Sequence, residues 1–489
     1  MQGATAINAA ELTWLNAPLP PEQGRQRALY ERLRHAIVNR RLAPGTRLPA
    51  SRTLAAALGV ARNTVLFAYE QLVAEGCLLA TRHGTRVAAL PDTALEVVAQ
   101  APSPGLSRRS VGVMAPDAAP DATLWPLALG VPDVASFPIR AWRASLDRAW
   151  RHATARQLSY APLGGEPALR QALATYLSGV RGLPVTAAQV IVTAGTQNGL
   201  DLCARLLADE GDTVWVEHPG YPAAHAAFRL AGLRVRPMPV DAAGLCVTPD
   251  DWAQHPPRLV FVTPSHQFPT GAVLPLPRRL ALIEQAQAHG AWIIEDDYDS
   301  EFRRSGPPPP ALYGLRPGAP VVYAGTFSKT LFPALRLGYV VVPEGSAVAF
   351  AGAMGALSRP GQSIEQQALA DFIERGGYTA HLRRMRPLYA QRRDALRHAL
   401  ARHFGADAVV TGGEAGLHLM LWWQGAPNDA AVAAAAHALG VAARPLSRYT
   451  AGGVALQNGL VLGYGATPVE VIDGAVARLA QAWWCNVRR

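Results

Sequence analysis

The sequence predicts an α/β protein whose large domain is built on a mostly parallel central sheet, preceded by a small basic module of three helices and a hairpin. Three observations carry this prediction. Short apolar runs recur at 190–193, 213–217, 259–263, 292–295, 321–324 and 339–342, most of them followed by Gly, Pro or acidic turn residues. Helical stretches at 199–208 and 278–289 lie between several of the runs. Strands alternating with helices make a sheet covered on both faces. The first 90 residues differ, with helical periodicity and a local excess of charge.

Length and composition set the frame. A chain of 489 residues exceeds one ordinary core and divides into domains. Hydrophobic residues make up 49% and charged residues 17%, which excludes a mostly disordered chain. The formal net charge is +10, and residues 1–90 hold 11 arginines against 5 acidic residues, or +6. A basic module points to a polyanionic partner, nucleic acid first, with an ordinary solvated basic face as the other reading. The cysteines, Cys77, Cys203, Cys246 and Cys485, are far apart. They match no metal-ligand spacing and no disulfide framework, so no metal is expected and a reducing cytoplasm fits. The first 30 residues lack a signal-peptide pattern, and no run approaches the roughly 18 apolar residues of a membrane span. The Ala-rich stretch 430–438 reads as a helix.

The expected domains are 1–91, a linker over 92–123 that is rich in Pro, Ala and Ser, and 124–489. In the first, Leu29, Leu33, Ala36 and Ile37 recur at helical spacing. The stretch PGTRLPAS ends that helix, and Ser51 is expected to cap the next. A short helix closes at Gly59, and a third runs through ARNTVLFAYEQLVAEG. Leu58, Val65, Tyr69 and Leu72 are its expected core, and LLATRHGTRVAA reads as two strands around His83-Gly84. This order is a winged helix-turn-helix. Arg62, Asn63 and Thr64 open the third helix, where base edges are read; Arg binds guanine and Asn adenine in bidentate fashion. Arg52 suits phosphate or base contact. The stretch 44–76 resembles the GntR family of bacterial transcription factors. The resemblance implies contacts with double-stranded promoter DNA from Arg52, Arg62, Asn63, Thr64, His83 and Gly84.

One count stands out in the large domain. Of the 46 basic residues, 45 are arginine and the single lysine is Lys329. A guanidinium stays protonated and cannot form an imine, so a position that needs Schiff-base chemistry must keep lysine. The surroundings agree. In VIVTAGTQNGLDLCARLL, Gly195 permits a tight turn, and the N–H groups of Gly195, Thr196 and Gln197 open a helix able to bind phosphate. Tyr221 follows a strand in VWVEHPGYPAA, where an aromatic ring can stack on a pyridine. In AWIIEDDYDSEF, Asp296 suits a protonated pyridine nitrogen and Tyr298 a ring oxygen, while Asp297, Asp299 and Glu301 are expected to face solvent or cap a helix. Thr326 and Ser328 offer hydroxyls beside Lys329, and Arg336 offers a phosphate clamp. The cofactor that uses all of these is pyridoxal 5'-phosphate (PLP).

This order of segments resembles the fold-type-I aminotransferases over roughly 125–484. In that family the tyrosine matching Tyr160, in SYAPLGGEPALRQALATYL, reaches the phosphate of the partner subunit, which implies a homodimer with shared sites. A GntR-type winged helix fused to this domain, with TPSHQFPTG and IEDDYDSEFR, resembles the MocR subfamily of regulators. That resemblance implies a PLP-dependent, DNA-binding transcriptional regulator that senses PLP or a small amine or amino acid through the Lys329 Schiff base, as a head-to-tail dimer.

Two departures bear on catalysis. Aminotransferases have Asn-Pro-Thr-Gly where this chain has Phe268-Pro269-Thr270-Gly271, leaving His266 or Gln267 as substitutes for the missing amide. The carboxylate-binding arginine near the C-terminus is replaced by Asn458 and Gly459, leaving Arg444 and Arg448 as effector candidates. An active aminotransferase with an accessory winged helix is the alternative reading, and a DNA binder that has lost PLP is a third.

Overall fold

The computed structural model describes residues 24–82, 84–89, 105, 107–110, 124–304, 306, 309–358, 361–450 and 457–487. The chain divides into two compact units, Met1–Gly105 and Leu106–Arg489, a division that falls within the stretch read as a linker. Most of that stretch lies outside the described residues, as does His83.

In the first unit, helix α1 (Arg25–Val38) buries Leu29, Leu33, Ala36 and Ile37 on one face. Helix α2 (Ser51–Leu58) stops at Gly59, which takes the left-handed conformation that a Cβ disfavours. Ser51 is not the cap of α2. It is the first helical residue, and its Oγ accepts from Arg62 Nε at 3.4 Å, tying α2 to the start of the next helix. Helix α3 (Arg62–Ala74) contributes Val65, Ala68, Tyr69 and Leu72 to the core, with Leu58 packed at its margin. Strands β1 (Leu78–Thr81) and β2 (Gly84–Val87) pair antiparallel, with Thr81 opposite Gly84.

The second unit carries an eight-stranded sheet. Its strands are β3 (Val190–Thr193), β4 (Thr213–His218), β5 (Arg234–Asp241), β6 (Gly244–Leu245), β7 (Leu259–Val262), β8 (Trp292–Asp297), β9 (Val321–Thr326) and β10 (Gly338–Val341). They lie in the order β3-β10-β9-β8-β7-β4-β5-β6. β4, β5, β7, β8 and β9 run parallel, whereas β10 is antiparallel to both neighbours and β6 is a hairpin return. Residues of β3, β7 and β9 are buried throughout, which is why these strands read as unbroken apolar runs. Alternation distributes them between two faces: Val190 and Val192 join one core cluster and Ile191 another, as Tyr339 and Val341 do against Val340.

A second sheet, not foreseen, is formed by β11 (Val409–Gly412), β12 (His418–Trp423), β13 (Arg444–Pro445) and β14 (Asn458–Gly463), all antiparallel in the order β11-β12-β14-β13. It brings C-terminal residues to the rim where β3, β4, β7, β8 and β9 end. Among the described residues no helix is long and apolar enough to cross a membrane.

Candidate functional site

A cavity of about 430 Å³ opens at that rim. It collects Thr196 and Gln197 after β3, Tyr221 after β4, Thr263 and Phe268 after β7, Asp296 and Tyr298 at the end of β8, Thr326 at the end of β9, and Ser328, Lys329 and Arg336 after it. A carboxyl-end crevice is where ligands of open α/β sheets sit.

Lys329 Nζ donates to the carbonyl of Gly130 at 2.8 Å. Burial lowers its pKa, while Asp299 and Asp296 pull the other way. A lowered amine pKa increases the neutral, nucleophilic fraction. Asp296 is 5% exposed, and its Oδ1 has no hydrogen-bond partner among the described residues. Burial, with Asp297 and Asp299 adding to it, pushes its carboxyl up to about 8. An orphaned carboxylate in a cavity wall calls for a cationic or N–H-bearing ligand, because unmade buried hydrogen bonds are costly.

The other end of the cavity suits an anion. Gly195 has φ +89 and caps the helix Thr196–Leu207, so the free N–H groups of the first turn face outward. The Arg336 guanidinium reaches the same place: Nη2 donates to the carbonyl of Ala194 at 3.1 Å, and a Cβ on Gly195 would stand 3.4 Å from it. A helix N-terminus, a guanidinium, two hydroxyls, a lysine amine and an unpaired carboxylate within one cavity match the phosphate, aldehyde and pyridine nitrogen of PLP. The residues present fit that group.

An aromatic wall completes the cavity. The Phe268 ring meets Tyr221, Tyr298 and Tyr449 edge-on, at centroid distances of 5.8, 6.1 and 5.3 Å. Burial pushes the Tyr221 hydroxyl up to about 12. Arg444 and Arg448 also line the cavity, brought there by β13 and the turn after it. Asn458 is occupied elsewhere, donating to the carbonyl of Gly425 and accepting from Asp429 N–H. A Cβ on Gly459 would stand 3.0 Å from the Leu421 carbonyl, a tight contact that its neighbours would have to relieve.

The acidic run after Asp296 corrects the sequence reading. Asp297 and Asp299 are 5% and 2% exposed, not solvated, and Glu301 is half-buried. Asp297 pairs with Arg181 at 2.5 Å and accepts from Tyr323 Oη at 2.7 Å. Asp299 makes no side-chain cap; its two oxygens lie 3.1 and 3.2 Å from His266 Nδ1. His266, Asp299 and His418 bring three potential ligand atoms within 4.8 Å of one another. Of these atoms, His266 Nδ1 and the Asp299 carboxylate face each other, and His418 Nε2 meets the Pro269 carbonyl at 3.1 Å.

Gly130, Thr263, Leu417, His418 and Tyr449 line the cavity without having been singled out. Gly130 and Leu417 lie in loops with no periodic or motif signal. Tyr160 is 77% exposed and is not among the cavity-lining residues of its own chain.

In the first unit Arg52, Arg62 and Asn63 are exposed, whereas Thr64 is 7% exposed and turned into the core. Thr64 therefore does not belong to the surface expected to read DNA. Gly84, with φ +116, lies under the Arg47 guanidinium, where a Cβ would come within 3.0 Å of Nε.

Comparison with known proteins matches two families along the chain. Residues 124–470 match the family model for aminotransferase class I and II, and residues 25–87 match that for bacterial regulatory proteins of the gntR family. The chain is 40% identical over 456 residues to the probable rhizopine catabolism regulatory protein MocR of Rhizobium meliloti, covering 92% of each. It is 35% identical to the pyridoxine biosynthesis transcriptional regulator PdxR of Corynebacterium glutamicum, covering 93% of this chain and 95% of that one. Among solved structures, the α-aminoadipate aminotransferase LysN of Thermus thermophilus, complexed with N-(5'-phosphopyridoxyl)-L-leucine, superposes with a TM-score of 0.71 at 26% identity, covering 78% of this chain and 98% of that one. The kynurenine aminotransferase of Pyrococcus horikoshii gives a TM-score of 0.69 at 26% identity, covering 74% and 91%.

Proposed function

The chain belongs to the MocR subfamily of GntR-type transcriptional regulators, with a DNA-binding winged helix fused to a PLP-binding aminotransferase-type domain, and from that premise we propose that it senses a small amine, an amino acid or PLP itself at Lys329 and reports the result to promoter DNA. One observation carries the proposal. A single cavity gathers the lysine amine, an orphaned carboxylate and an anion-binding helix terminus, in a chain whose other unit is a basic winged helix.

PLP, when bound, supplies an aldehyde carbon that joins amines and a pyridine ring that withdraws electrons. The residues do the rest. Lys329 Nζ offers the amine. Asp296 holds a proton at the pyridine nitrogen. Arg336, Thr326, Ser328 and the N–H groups of Gly195, Thr196 and Gln197 hold the phosphate. Tyr221 stacks, Tyr298 bonds the ring oxygen, and Arg444 and Arg448 receive an effector. Arg52, Arg62, Asn63 and the wing at His83 and Gly84 contact DNA. The acting form is a head-to-tail homodimer in which Tyr160 serves the partner's site; its high exposure supports this. The setting is the cytoplasm, in keeping with four cysteines that form no disulfide. With PLP present, Lys329 would be the residue that an incoming amine releases, and a ligand that favours one of two forms of the dimer would thereby change promoter affinity.

Sensing is favoured over turnover by two positions. Phe268 stands where an aminotransferase holds an amide, and Asn458 and Gly459 where it holds an arginine. Titrating the purified, PLP-loaded protein with amines, amino acids and PLP should change cofactor absorbance and promoter affinity with the same ligand. Absorbance changes that leave promoter affinity untouched would sink the sensing role. Steady conversion of an amino donor and a 2-oxo acid would make the protein an enzyme. Lys329→Ala should remove the absorbance of the linked cofactor; its persistence would overturn the attachment site.

A further inference from the structure

The ring oxygen of the cofactor needs a hydrogen-bond donor, and residue 268 cannot be one. Gln267, a candidate by sequence, is committed elsewhere. Its Nε2 donates to Glu217 Oε2 and to the carbonyls of Pro219 and Phe268, and its Oε1 accepts from Thr270 N–H and Oγ1. His266 has a different environment. It is 2% exposed, with Asp299, Tyr298 and His418 around its ring. Asp299 accepts from Nδ1, so the ring carries its hydrogen on Nδ1, while Nε2 is buried with no partner among the described residues. The Tyr298 oxygen lies 3.1 Å from that same Nδ1 and 2.9 Å from the His266 carbonyl. Tyr298 lines the cavity; His266 does not.

We infer that His266 and Asp299 form a positioning pair for Tyr298, supplying through one phenol the hydrogen bond to the cofactor's ring oxygen that an amide at 268 would otherwise provide. Asp299 orients the imidazole by accepting its Nδ1–H, and the ring so held, with Nδ1 3.1 Å from the Tyr298 oxygen, keeps the phenol in place. The phenol's single hydrogen then turns from the His266 carbonyl to an acceptor in the cavity. Close packing fixes the pair: a Cβ on Gly416 would overlap the Asp299 carboxylate and the His266 ring, and a Cβ on Gly271 would stand 3.3 Å from His266 Nε2. The inference rests on the cofactor seat at Lys329 and is independent of how DNA binding responds.

The test is the pH midpoint of the visible absorbance band of the PLP-loaded full chain. A donor to the ring oxygen favours its anionic form, so losing the donor raises that midpoint. His266→Leu should raise it by about one pH unit. Tyr298→Phe should raise it by about as much, and the double variant no further than Tyr298→Phe alone. His266→Asn, whose amide N–H takes the place of Nδ1–H, should bring the midpoint back towards the parent value. If His266→Leu does not fold, His266→Phe, which keeps a ring but has no N–H, gives the same reading, with the same direction expected. A parent-like midpoint in folded His266→Leu or His266→Phe, or shifts that add in the double variant, would overturn the pair. A parent protein without any cofactor band would overturn the seat at Lys329 and the pair with it.

Discussion

Lys329 Nζ and the carbonyl oxygen of Gly130 stand 2.8 Å apart, joining the loop after β9 to the segment that opens the large unit, 199 residues earlier in the chain. Gly130 has φ +77, and a Cβ built on it would lie 2.8 Å from the amine. The backbone conformation therefore disfavours a side chain here, and a Cβ would displace the flexible end of Lys329.

Gly130→Ala should push the lysine amine out of register while costing only about 1–2 kcal/mol of backbone strain. The expected result is a folded protein with a several-fold lower affinity for PLP, read from retained absorbance after dialysis. Parent-like cofactor retention alongside a lowered Tm would reduce Gly130 to a backbone role.

Asp296 gives a pH dependence to the cofactor-free protein. Its folded pKa, about 8, lies above the ordinary 3.8, so the folded chain holds a proton that the unfolded chain releases. Stability therefore falls as pH rises between those values. Asp296→Asn removes the dependence: the cofactor-free variant should gain Tm relative to the parent as pH rises toward 8, and should bind PLP more weakly. Parallel Tm–pH curves for the two proteins would contradict the assignment.

The DNA-facing residues separate by burial. Arg62→Ala, at an exposed position, should cost about 1–3 kcal/mol of promoter affinity and relax preference at one base pair. Thr64→Val, at a buried position, should leave affinity unchanged. Gel-shift or anisotropy titrations at fixed salt distinguish them, and a large loss for Thr64→Val would return that residue to the interface.

Much of the site is legible in the sequence because its groups follow strand ends in order. Gly195, Tyr221, Asp296 and Lys329 each sit just past an apolar run, and a parallel sheet brings such positions to one rim. What the sequence hides depends on long-range pairing. Asp297 and Asp299 look like solvated acids until Arg181 and His266 arrive from 116 and 33 residues away. Thr64 reads as a helix-start contact until the fold turns it inward. The second sheet escapes notice because β11 and β13 are short and carry no apolar run of their own.

The reversed strand β10 has one more consequence. Gly338 pairs with Thr193 on one side and Thr326 on the other, so the chain re-enters the sheet at the very edge it left after β9. A Cβ on Gly338 would stand 3.0 Å from the Gly195 backbone, so the return is wedged against the phosphate turn. The eleven-residue span 327–337 is thus a ruler as well as a loop. One residue more would invert β10, exchanging the side chains it gives to opposite cores, or would carry Arg336 away from the turn after β3. Insertions and deletions, rather than exchanges of side chain, are the changes this part of the chain can least absorb.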